Sequence, residues 1–227
     1  MSKSGPGFDL THQFSMANWL SGWRLFALLV ATPISMAANV ALFHRDVDGV
    51  RTVVILTVRY TLVLFCLIFS VSALQRLWPN DIFRWLLRNR RYMGLSFAAS
   101  HSVHIAGLAV FALIAPASYA RESRLFSEIV GAIGYFFVLA MASTSFDVTR
   151  AWLGDARWRT LHSVGGYWIW GVFAYMFGKR GLAYPSVPLY RVALLLLLLS
   201  LALRLIARER RRKDRGGLPA AAVPERR

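Results

Sequence analysis

Acidic side chains are scarce in this chain. Its 227 residues hold 11 Asp and Glu against 27 Lys and Arg, a formal charge of +16. A surplus of that size raises nucleic acid as a partner. The basic residues, however, gather at the ends of apolar runs and in the tail from Arg208, as topology determinants do, so nucleic acid is excluded. Charge of either sign is also thin, at 17% of residues against about a quarter in soluble domains. With 56% hydrophobic residues and a mean hydropathy of +0.46, the chain reads as an integral membrane protein, and its first partner is the lipid bilayer. Cysteine is nearly missing: Cys66 alone permits no intrachain disulfide and reads as a buried structural thiol. One cysteine and five histidines exclude zinc-finger and iron–sulfur scaffolds. No Gly-rich phosphate loop and no soluble stretch of nucleotide-binding size is present, so the chain carries no dehydrogenase domain. The N-terminal segment has no signal-peptide core, and the first apolar run is long enough to be a retained span.

Six apolar runs remain, at about 19–43, 52–75, 92–115, 126–145, 160–178 and 186–207, each able to cross ~30 Å of hydrocarbon as a helix. The expected fold is an all-α integral membrane bundle of six transmembrane helices. It divides into an N-terminal segment 1–18, a membrane domain 19–207 and a basic, disordered tail 208–227 rich in Gly, Pro and Ala at its end. The connection 76–91 sets Arg76, Arg84, Arg88, Arg90 and Arg91 against Asp81 alone. The positive-inside rule then puts both termini, 76–91 and 146–159 in the cytoplasm, with Lys179-Arg180 as a mild exception. Within 76–91, Trp78, Ile82, Phe83 and Trp85 interleave with arginines, which predicts a short amphipathic helix on the membrane surface.

The third run carries His101 and His104, one helical turn apart and so on one face. Ionisable side chains inside a span are costly and point to function. A b-type heme in a helical bundle takes axial imidazoles from facing helices, with small residues beside them. His162, in the fifth run, has Gly165 and Gly166 one turn on, which would admit the macrocycle. Arg59, well inside the second run, suits either a heme propionate or a snorkelling position at the interface. The competing reading is a cofactor-free six-span protein with a structural, assembly or transport role, because small and polar residues also serve helix packing in membranes. The spans lack the acids and the paired broken segments of coupled carriers, which weakens the transport form of that reading. Trp152, Trp158, Trp168, Trp170 and Tyr175 read as interfacial belt and packing.

Two motifs carry a resemblance. One is Arg90-Arg91-Tyr92-Met93-Gly94-Leu95 leading into the histidine run; the other is Thr144-Ser145-Phe146-Asp147, then Trp152-Leu153-Gly154, Trp158-Arg159 and Leu161-His162. Together, over about residues 50–180, they resemble the ferric reductase-like transmembrane domain. That superfamily takes in the heme-binding membrane subunit of methionine-sulfoxide reductase systems and the membrane halves of NADPH oxidases. The resemblance implies six spans, b heme between the third and fifth, and a multi-pass place in the inner (cytoplasmic) membrane. It implies an electron-transfer subunit rather than a complete enzyme, fed by a quinol or a flavoprotein and serving a soluble or periplasmic redox partner. By position, His104 and His162 match the family's heme-iron ligands. Two-heme members have a further histidine thirteen residues after the one at 162, where this chain has Tyr175 beside Met176, and another near the start of the third span, where it has Arg90 and Arg91. One heme is therefore expected, with two left open. Its ligands would be His104 or His101 with His162, although His104 lies ~18 Å into its span and His162 only about two residues into its own. Met176 opposite His104 is the alternative.

Overall fold

The computed structural model describes residues 19–44 and 46–216; the expected N-terminal segment 1–18 and the end of the tail, 217–227, lie outside the described residues. Among the described residues there are nine helices and no strand. Helix α1 (Trp23–Phe43) begins after Gly22, whose φ of 64° is a left-handed conformation that glycine adopts without strain. The Gly22 amide is held by the side-chain oxygen of buried Asn89, at 2.9 Å. Helix α2 (Val47–Leu77) is capped by Asp46, which accepts from the Gly49 amide at 2.8 Å. The amphipathic helix expected in 76–91 is α3 (Asp81–Arg88), capped by Asn80, with Ile82 69% exposed among its charges. Helix α4 (Arg90–Ile114) stops before Pro116, which has no amide to give it. The same proline opens the short α5 (Pro116–Glu122), where the missing amide costs nothing. Helices α6 (Leu125–Ser143), α7 (Asp147–Leu153), α8 (Asp155–Ala183) and α9 (Pro188–Gly216) complete the chain. Between α7 and α8 stands Gly154, with φ 80° and ψ 147°, which explains the glycine in the second motif.

Five helices, α1, α2, α4, α6 and α9, are long and apolar enough to cross a membrane. They match five of the six expected runs. The run 160–178 lies inside α8, which is 29 residues long but is not one of the five. Its Trp, Tyr, Gly and His side chains lower its hydropathy without shortening it. The tail departs from expectation. Helix α9 runs on through Arg208–Lys213 to Gly216, so this part is helical rather than disordered. Arg, Glu, Lys and Ala are good helix formers, and the helix simply propagates through them.

Around the bundle α2 packs on α4, α4 on α6, α6 on α8, α8 on α9, and α9 returns to α2. Helix α1 lies outside this ring against α2 and α4. Close contacts use small and hydroxyl side chains. The buried Ser70, Ser96 and Thr57 each donate to the carbonyl four residues back, at 2.7, 2.8 and 2.7 Å, and so cost little to bury. Cys66 is buried and free, as expected. The centre of the ring is aromatic: Phe65 meets Phe69, Phe97 and Phe173 at centroid distances of 5.3, 5.8 and 5.4 Å. Helices α4 and α8 face each other across that centre through rings rather than backbone.

One end of the bundle is closed by the second motif. The Trp158 indole donates to the Thr144 carbonyl at 3.0 Å, tying the start of α8 to the end of α6. Arg150 lies over the Trp158 ring at 4.6 Å and pairs with Asp155. Arg91 at the start of α4 pairs with Asp147 at 3.2 Å. These contacts give the motif a structural role alongside any it has in binding.

Candidate functional site

The two histidines of α4 point into the ring centre. His104 is 9% exposed, and its Nδ1 lies 3.1 Å from the Val54 carbonyl and 3.2 Å from the Thr57 hydroxyl, both on α2. A carbonyl can only accept, so Nδ1 carries the proton and donates it. In the neutral ring Nε2 then keeps a bare lone pair. Metal-binding histidines are held in the same way, with one nitrogen anchored to a carbonyl and the other free to ligate. Thr57, fully buried, spends its own proton on the Val53 carbonyl, so its oxygen can accept from His104.

His101 sits one turn before, its ring 5.3 Å from that of His104. It is walled by Phe97 at 5.5 Å, Tyr135 of α6 at 6.1 Å and Phe173 of α8 at 6.4 Å. Its Nδ1 is buried and has no hydrogen-bond partner. A buried polar atom left unpaired costs about 1–3 kcal/mol, a cost that a hydrogen-bonding or ligating partner at that nitrogen would remove. Tyr135 is fixed there by its 3.0 Å hydrogen bond to Ser102.

His162 is elsewhere. Its Nε2 is 3.5 Å from the Thr144 hydroxyl and its ring 4.4 Å from Trp158, at the motif end of the bundle. The contact of His101 with Phe173 fixes the register of α4 against α8. Phe173 is eleven residues beyond His162, so about 16 Å of helix separates His162 from the level of His101. The structure thus brings His101 and His104 together and leaves His162 more than two turns away.

The other expected residues are also dispersed. Arg59 is half-buried but stands two residues past Thr57, roughly 200° round α2, and so leaves the helix on the side away from His104. A Cβ on Gly165 would lie 3.0 Å from the Met141 sulfur and 3.2 Å from Phe137, and one on Gly166 3.7 Å from Phe69. The surface above His162 is therefore covered by side chains, and these glycines serve helix contact. Among the described residues no three His, Cys, Asp or Glu gather to hold a metal ion, so any iron here would rest on one or two protein ligands. Thr57, Tyr135 and Phe173 belong to the site but were not singled out from sequence. Thr57 alone gave a signal, as a hydroxyl inside an apolar run.

Fold and site together define a multi-span α-helical membrane protein with a buried imidazole pair at its centre. The protein-methionine-sulfoxide reductase heme-binding subunit MsrQ of Ralstonia nicotianae is 31% identical to it over 172 residues, which cover 73% of this chain and 75% of that protein. The chain belongs to that family. No family model and no solved structure matches it.

Proposed function

We propose that this chain is the heme-bearing membrane subunit of a redox system. It passes electrons through b-type heme to a separate acceptor across the membrane and lies in the inner membrane with six spans and both ends inside. Bound heme supplies one-electron chemistry by cycling its iron between ferric and ferrous. The chain's own part is to hold and insulate the group. His104 offers Nε2 to the iron, while Val54 and Thr57 fix its ring and tautomer. Phe65, Phe97 and Phe173 keep water from the ring centre. The sixth span in this reading is α8, carried by its length and by its packing between α6 and α9. The wider likeness to ferric reductase-like domains, and a quinol or flavoprotein as donor, rest on the motifs alone.

The observation that carries the reading is His104, deep in a membrane helix, with Nδ1–H donated to a carbonyl and Nε2 unused. The relative's name as a heme-binding subunit supports it. The test is the dithionite-reduced spectrum of the detergent-purified chain, expressed with ample heme. A b-type α band, absent from His104→Ala, is expected. A folded preparation that stays colourless would favour the cofactor-free alternative.

A further inference from the structure

An apolar groove on the lipid-facing side of α6 and α8 takes no part in the site at the ring centre. It holds about 520 Å³, the size of a small-molecule cleft, between Phe137 of α6, Leu153 at the end of α7 and the first turns of α8. From α8 it is lined by Arg157, Thr160, Leu161 and Val164, which recur at i, i+3, i+4 and i+7 on one helix face. We propose that this groove binds an anionic phospholipid, with an acyl chain laid along it and the headgroup phosphate on Arg157.

The order of polarity along the groove fits that occupant. Arg157 stands just before the apolar run 160–178, at the depth of headgroups, and Val164 lies two turns, or ~10 Å, deeper toward hydrocarbon. Val164 is 50% exposed, so the lining is open to lipid rather than covered by a neighbouring helix. The Thr160 hydroxyl donates to the Ala156 carbonyl at 3.1 Å and so demands no partner from the occupant. The charge at the mouth is uncompensated. Arg150 and Arg159 share Asp155, at 2.9 and 3.8 Å, whereas exposed Arg157 has no carboxylate within 4 Å among the described residues. Beside it on α7, Val148 and Trp152 are 82% and 85% exposed one turn apart, as side chains inserted among headgroups are. In the orientation proposed above this end lies in the cytoplasmic leaflet, whose anionic lipids attract such arginines. A guanidinium also pairs with a phosphate through two parallel hydrogen bonds. A zwitterionic lipid brings its own cation to that phosphate, and a quinone brings no charge at all.

The experiment is native mass spectrometry of the delipidated full chain in detergent, titrated with phosphatidylglycerol, phosphatidylcholine or ubiquinone. It needs no heme, so its outcome is independent of the heme reading. Wild type should bind one phosphatidylglycerol several-fold more tightly than phosphatidylcholine. Arg157→Gln should weaken phosphatidylglycerol about fivefold and leave phosphatidylcholine unchanged, and Arg157→Lys should restore most of the preference. Val164→Trp, at an exposed position, fills the groove and should weaken both lipids. Arg208→Gln, on α9 outside the groove, should change neither. Equal weakening by Arg157→Gln and Arg208→Gln would overturn the site in favour of diffuse charge attraction. A wild type with no preference for phosphatidylglycerol would overturn the phospholipid as occupant. So would ubiquinone that displaces it with an affinity Arg157→Gln leaves unchanged.

Discussion

Substituting the two candidate iron histidines one at a time separates a site at the ring centre from one that reaches to the motif end. Two imidazoles on one iron must sit within two metal–nitrogen bonds of about 2 Å each. The contact between His101 and Phe173 leaves His162 about 16 Å short of that level along α8. Closing the gap means sliding α8 by more than two turns. That movement would break the Trp158–Thr144 hydrogen bond and carry Asp155, Arg157 and Arg159 toward hydrocarbon. Each charge near the bilayer centre costs ~2.5–3.5 kcal/mol, so three cost about 8–11 kcal/mol, comparable to the whole stability of an ordinary fold. The expectation follows directly. In His104→Ala the heme-to-protein ratio, read as pyridine hemochrome, falls close to zero. In His162→Ala it stays within about twofold of wild type, because that side chain contributes packing on Trp158 of ~0.5–1.5 kcal/mol and no ligation. Circular dichroism establishes that both variants are folded. Equal loss of heme from both would refute the register on which this argument stands.

Two further outcomes are expected. Thr57→Val removes one of the two oxygens that hold His104 Nδ1 without changing the side chain's shape; heme affinity should fall about tenfold and recover in Thr57→Ser, as measured by heme titration. Gly165→Val should lower the melting temperature in detergent by the equivalent of ~1–3 kcal/mol, since its Cβ meets Met141 and Phe137 at 3.0 and 3.2 Å, whereas Gly94→Ala, with nothing within 4 Å, should stabilise by ~0.5–1 kcal/mol.

Much of the fold was legible along the chain because the bilayer imposes a single rule: every span must be apolar and must satisfy its own backbone. Run lengths therefore located α1, α2, α4, α6 and α9, and the mix of arginine and aromatic residues located α3. Pro116 marked the end of α4 because its missing amide and rigid ring cannot continue a helix. The helical stretch of the tail was missed. The Gly-, Pro- and Ala-rich end of the tail reads as disorder, and that reading extends back to residue 208, yet α9 had already nucleated and only needed to propagate as far as Gly216.

The candidate site divided differently. Two histidines one turn apart in an apolar run announced a buried, costly pair by themselves, and the structure places both at the ring centre. Nothing in the residue order says which carbonyl His104 meets, that His101 Nδ1 goes unpaired, or that Arg59 leaves α2 on the far side. Nor does it say that Gly165 and Gly166 are covered by Met141, Phe137 and Phe69. Helical periodicity sets relations within one helix, to about a turn. The depth of one helix against another comes from side chains interlocking across the ring, such as His101 against Phe173, and sequence spacing does not record it. The chain by itself thus determined the lipid-embedded helices and the buried imidazoles; tertiary packing alone decided which residues stand level with them.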